Sequence, residues 1–174
     1  MIRGDAAQAS LADWVRLPTL ILGIGNPLRG DDAAGPLVCE LLDSPAAVDC
    51  GDAPERYLGL ADSDAVQRVL LVDAMDFGGA PGEIAFCASG ELVERFGTTH
   101  DSGLAVLARF VQQEYGKPVA VLGIQPSSTQ FGARVSAAVQ DAVEKVSAWL
   151  KEAIPGRAGS QHDPGEMEAA WTRS

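Results

Sequence analysis

The sequence predicts an α/β fold in three α/β/α layers, a mostly parallel central sheet covered by helices on both faces. Three observations carry this reading. Short, almost wholly apolar runs recur along the chain, at Leu17 to Gly25, Arg68 to Met75 and Pro118 to Ile124, as expected of strands buried on both faces. Segments with apolar residues at helical spacing separate them, and glycine or proline turns punctuate the joins.

In order, the first run (LPTLILGIG) ends in glycines that turn the chain towards a helix from about Asp32 to Leu42. That helix has Leu37, Val38, Leu41 and Leu42 at helical spacing and Pro36 early, where a missing amide is tolerated; Ser44 and Pro45 end it. Ala47 to Cys50 reads as a second strand, Pro54 to Ala61 as a short helix, and Arg68 to Met75 (RVLLVDAM) as the third strand, apolar until Asp73. Pro81 and Gly82 turn the chain into Glu83 to Ala88, whose alternating Ile84 and Phe86 suit a strand with one exposed face.

Residues 89–100 have no clear period. Asp101 and Ser102 can cap a helix bearing Leu104, Leu107 and Val111 that Gly116 closes. A buried strand, Pro118 to Ile124, precedes a long helix from near Ala133 to Leu150 with Val135, Val139, Val143, Val146 and Leu150 on one stripe, stopped before Pro155. The expected organisation is an extension at 1–16, one α/β domain at 17–153 and a flexible tail at 154–174.

Composition narrows the function. The chain has 174 residues, 24 acidic against 13 basic, and a formal charge of -11. No cluster of Lys or Arg is available to neutralise successive phosphates, so nucleic acid is not an expected partner. Cys39, Cys50 and Cys87 are odd in number and widely spaced, which suits buried thiols in a reducing compartment rather than disulfides or structural zinc. With no signal-peptide pattern and no long apolar span, a cytoplasmic location without membrane insertion is expected.

In parallel sheets ligands gather beyond the carboxyl ends of the strands. There the sequence places Gly25-Asn26-Pro27-Leu28-Arg29-Gly30-Asp31-Asp32, then Asp73, then Thr98-Thr99-His100. Two carboxylates and an imidazole from three loops suit a borderline divalent metal such as nickel or zinc. Asp73 follows four core residues, a position that needs pairing, hydrogen bonding or a metal. One of Asp31 and Asp32 is expected to cap the following helix while the other faces the rim; their adjacency leaves open which does which. A dinucleotide site is not expected, since Leu28 stands where the third glycine of GxGxxG would fall and two aspartates would repel a pyrophosphate. GxSxG is absent, and no cysteine has a histidine close by in sequence.

Four segments in order, GIGNPLRGDDAAG, LLVDAMDFGGAPGEI, THDSGLAVL and VLGIQP, resemble the nickel-iron hydrogenase maturation proteases, the C-terminal endopeptidases of the hydrogenase large subunit, from about Leu17 to Leu150. The resemblance implies a phosphorylase/hydrolase-like fold and assigns Asp32, Asp73 and His100 as both metal ligands and catalytic residues. It further implies removal of a C-terminal extension from the large-subunit precursor after nickel insertion, the nickel being supplied by the substrate. Many members carry Glu at the position of Asp32 and a DGG-like stretch where this chain reads Asp49-Cys50-Gly51-Asp52-Ala53-Pro54. A non-catalytic metallochaperone or assembly adaptor using the same ligands is the alternative.

Overall fold

In a computed structural model, residues 1–88 and 103–154 are described. Six strands, β1 (Ile2–Arg3), β2 (Thr19–Ile24), β3 (Ala47–Gly51), β4 (Arg68–Ala74), β5 (Ile84–Ala88) and β6 (Val119–Ile124), form one sheet in the order β1-β5-β6-β4-β2-β3. The strands from β6 to β3 are mutually parallel, whereas β5 runs antiparallel to β6 and β1 antiparallel to β5. The expected mostly parallel sheet is therefore present, with two antiparallel strands at one edge.

Helices α1 (Asp5–Trp14), α2 (Ala34–Leu42) and α4 (Ala137–Ala153) cover one face, and α3 (Gly103–Tyr115) covers the other with two short 3-10 turns at Pro54–Arg56 and Leu58–Asp62. Strand alternation divides the core. Ile21, Leu70, Val72 and Leu122 pack under α2 and α4, while Leu20, Leu22, Leu71 and Val121 pack under α3. The stripe of α4 is as expected for Val139, Val143, Val146 and Leu150, although Val135 falls in the segment before the helix begins.

Three local expectations change. Residues 1–16, set apart as an extension in the sequence reading, supply β1 and α1; Ala7, Leu11 and Val15, four residues apart, are fully buried against α4 and β5. The exposed face expected for β5 is absent, because Ile84 and Phe86 pack on the α1 side and Cys87 on the α3 side, so that Ile84, Ala85, Phe86 and Cys87 are all buried. Pro54 to Ala61 forms the two 3-10 turns rather than an α-helix. The tail beyond residue 154 lies outside the described residues.

What positions the rim is the close landing of α2 on the sheet. A Cβ at Gly35 would strike the carbonyls of Ile24 and Val72, and one at Gly23 would strike the carbonyl of Gly35. Only glycine at these positions lets the start of α2 sit directly on the carboxyl ends of β2 and β4. The preceding 3-10 turn, Gly30–Ala33, is thereby held beside the end of β4, where Asp73 lies.

Candidate active site

The loop from Gly25 to Asp32 is fixed by its own polar groups. Gly25, at φ 139, donates its N–H to the Gly51 carbonyl at 2.9 Å, and no side chain fits there because a Cβ would collide with the Asp32 carbonyl. Asn26 works in three directions. Its backbone N–H donates to Asp32 Oδ2 at 2.9 Å, its Nδ2 donates to Asp52 Oδ2 at 3.1 Å, and its Oδ1 accepts from the Leu28 N–H at 2.9 Å. The Asp32 carboxylate is thus oriented by a main-chain donor of its own loop, and the altered Asp49-Cys50-Gly51-Asp52 stretch is tied to the same rim.

The two adjacent aspartates separate cleanly in role. Asp31 is 1% exposed. Its Oδ2 accepts from the N–H groups of Ser127 and Ser128 and from Ser136 Oγ, and its Oδ1 accepts from the Ser136 N–H, all at 2.6 to 3.1 Å. Burial pushes its carboxyl up, but these four donors outweigh it and hold the group below the usual carboxylate range. Asp31 does not cap α2, the helix it precedes; it binds Ser136, the residue that begins α4. That leaves Asp32, half-buried, facing the end of β4.

Asp73 sits on β4 opposite Gly123 of β6, in the last turn of sheet before the rim. Burial first, and the nearby Asp32 carboxylate second, push its carboxyl up to about 7, against a weaker opposing hydrogen bond from the Ala74 backbone. An acid whose ionisation is opposed by burial and by a neighbouring carboxylate is stabilised in its charged form by a cation placed between the two. The pair therefore fits one half of a divalent-metal donor set. The third expected ligand, His100, lies outside the described residues, and among the described residues no group of three or more His, Cys, Asp or Glu side chains is placed to hold a metal ion.

Sequence reasoning overlooked Gln125, in the VLGIQP segment. Its buried side chain accepts from the N–H groups of Phe77 and Gly79 at 2.9 and 3.0 Å and donates to Asp76 Oδ1 and to the Pro126 carbonyl. This fixes the loop that leaves β4 two residues after Asp73. A polar residue directly after the apolar run of β6 was the available signal.

Comparison with known proteins gives a consistent result. The family model described as hydrogenase maturation protease (HycI) matches residues 40–152, a stretch that includes Asp73 and His100. The hydrogenase 3 maturation protease of Escherichia coli K12 is 35% identical over 133 residues, covering 73% of this chain and 85% of its own. Among solved structures, the [NiFe] hydrogenase maturation protease HycI of Thermococcus kodakarensis aligns with a TM-score of 0.75 at 30% identity, covering 84% of this chain and 99% of that one. The hydrogenase maturating endopeptidase HybD of E. coli aligns with a TM-score of 0.60 at 25% identity, over 78% of this chain and 93% of its own.

Proposed function

Because this chain belongs to the hydrogenase maturation protease family, we propose that its endopeptidase activity removes the C-terminal extension of a nickel-iron hydrogenase large-subunit precursor after nickel has been inserted. The observation that carries the site assignment is the Asp32–Asp73 pair: two carboxylates from separate elements, one oriented by the Asn26 N–H and the other held near neutrality by burial and by its partner.

In this reading the nickel is part of the substrate. Asp32, Asp73 and His100 receive it, so a precursor lacking the metal offers these residues nothing to bind and is left uncut. The chain's own contribution is electrostatic and geometric. Asp32 is pre-oriented, with no rearrangement needed at docking. Asp73, whose carboxyl lies near 7, gives up its proton when the cation arrives and then helps Asp32 and His100 to hold it. Asn26 and Gln125 act through the residues they hold. Among the described residues no helix is long and apolar enough to cross a membrane.

The test is to incubate the protein with nickel-loaded and nickel-free precursor and weigh the products. The reading expects loss of a C-terminal peptide from the loaded form alone, and its abolition in Asp73→Asn with the thermal unfolding profile retained. Undiminished processing by Asp73→Asn would remove Asp73 from the site. Tight binding by the wild type with no change of mass would make the protein a metallochaperone-like adaptor instead.

A further inference from the structure

Two large apolar side chains stand in solvent on the same rim. Leu28 is 62% exposed and Phe131 76% exposed. Neither belongs to a loose loop end. Leu28 has both backbone polar groups engaged, its N–H with Asn26 Oδ1 and its carbonyl with the Gly132 N–H at 2.8 Å. Three residues on, the Asp31 N–H donates to the Ser128 carbonyl at 3.0 Å, so segments 28–31 and 128–132 pair in antiparallel fashion. The buried Asp31 carboxylate clamps the two from beneath. Holding apolar side chains out of the core on a braced support costs solvation free energy with no folding gain, which points to a role in binding.

Two guanidiniums accompany them. Arg29 follows Leu28, and Arg134 lies three residues beyond Phe131; both are exposed. The Arg134 backbone lies against Gly30, where a Cβ would meet its carbonyl oxygen at 3.5 Å. Among the described residues neither guanidinium has a hydrogen-bond or ion-pair partner. In a chain with a formal charge of -11, two unmatched cations beside two exposed apolar groups form a local exception to the surface, complementary to a peptide that carries both an apolar side chain and a carboxylate.

We propose that Leu28, Phe131, Arg29 and Arg134 form a peptide-binding shelf for an extended segment of the precursor beside the cleaved bond, a segment bearing an apolar side chain and at least one carboxylate. The shelf is continuous with the reacting centre, since the Arg29 carbonyl accepts from the Asp32 N–H and only three residues separate Leu28 from Asp32. A chain laid on it passes directly to the Asp32–Asp73 pair. The inference rests on the protease reading and names how that site holds its substrate.

The experiment has two arms. Steady-state processing of nickel-loaded precursor is compared for wild type, Leu28→Ser/Phe131→Ser and Arg29→Glu/Arg134→Glu, each shown to keep its thermal unfolding profile. The shelf requires KM to rise about tenfold or more in each double variant with kcat held within about twofold, the signature of lost binding away from the chemistry. In the second arm, affinity for the nickel-free precursor, which is left uncut, is measured by titration against the wild type and both double variants. Weakening of about tenfold by each pair of substitutions supports the shelf, and for the arginine pair the loss shrinks as salt is added. Wild-type affinity in either double variant overturns the proposal, as does absence of binding by the wild type. If wild type fails to cut the nickel-loaded precursor yet binds the nickel-free one while the variants do not, the protease reading fails and the shelf stands.

Discussion

Asp31 and Asp32 are adjacent, chemically identical, and given opposite tasks by their surroundings. From the sequence alone the capping energetics of the two are the same, because the groups that separate them, Ser127, Ser128 and Ser136, lie about a hundred residues away and reach Asp31 only after the sheet has formed. The consequence is measurable. An acid whose folded-state value is depressed adds stability above its unfolded value, about 3.9 for Asp, and loses it as pH falls through the folded-state value. Asp31→Asn puts an amide N–H towards backbone donors and should cost about 1–3 kcal/mol near neutral pH. That gap should narrow as pH drops below about 4, where the wild-type carboxyl also becomes protonated. Urea unfolding of both proteins from pH 3 to pH 7 would check it; a gap independent of pH would mean that the charge of Asp31 does not contribute to the clamp.

At the scale of elements, the strands buried on both faces were legible because their apolar runs are continuous, and α2, α3 and α4 were legible because each has an apolar stripe long enough to show a period. The first sixteen residues were not. Strand β1 is two residues long, too short for any alternation, and the buried face of α1 begins with alanine, whose small side chain gives little contrast with the polar positions around it. The misread face of β5 has a different cause: its expected solvent side carries Cys87, which joins the core formed with Leu104, Ala108 and Val111 of α3, a contact between segments that no local alternation reveals. Leu11 is the test of whether α1 belongs to the cooperative core. It is fully buried on the interface that α1 makes with α4 and β5, so Leu11→Ala should lower the unfolding free energy by about 2–5 kcal/mol. Chemical denaturation would measure this, and a loss below about 1 kcal/mol would place α1 outside the cooperative unit.

Over the whole molecule the site is the product of topology more than of any one motif. Four parallel strands end on one rim, α2 lands there through Gly23 and Gly35, and the Asp32–Asp73 pair forms because β2 and β4 are neighbours in the sheet. Motif spacing could suggest the rim, but not which carboxylate faced it, since that depends on contacts between segments far apart in sequence. The same closed three-layer packing governs the cysteines. Cys39, on α2, packs down on one side of the sheet, Cys50 and Cys87 lie on the other, and all three are buried. Burial pushes the thiols of Cys39 and Cys50 up to about 12, with the Asp49 charge adding to the effect in both. At pH 8 almost none of either is thiolate, and a reagent must in addition reach sulfur atoms enclosed between layers. The native protein should therefore show no fast reaction with a disulfide reagent at pH 8, whereas the denatured chain should release all three equivalents at once. The slow native reaction should accelerate in parallel with global unfolding as denaturant is raised. A single thiol reacting rapidly in native buffer would show that one face of the sheet opens without the other, and that the two layers are not one cooperative structure.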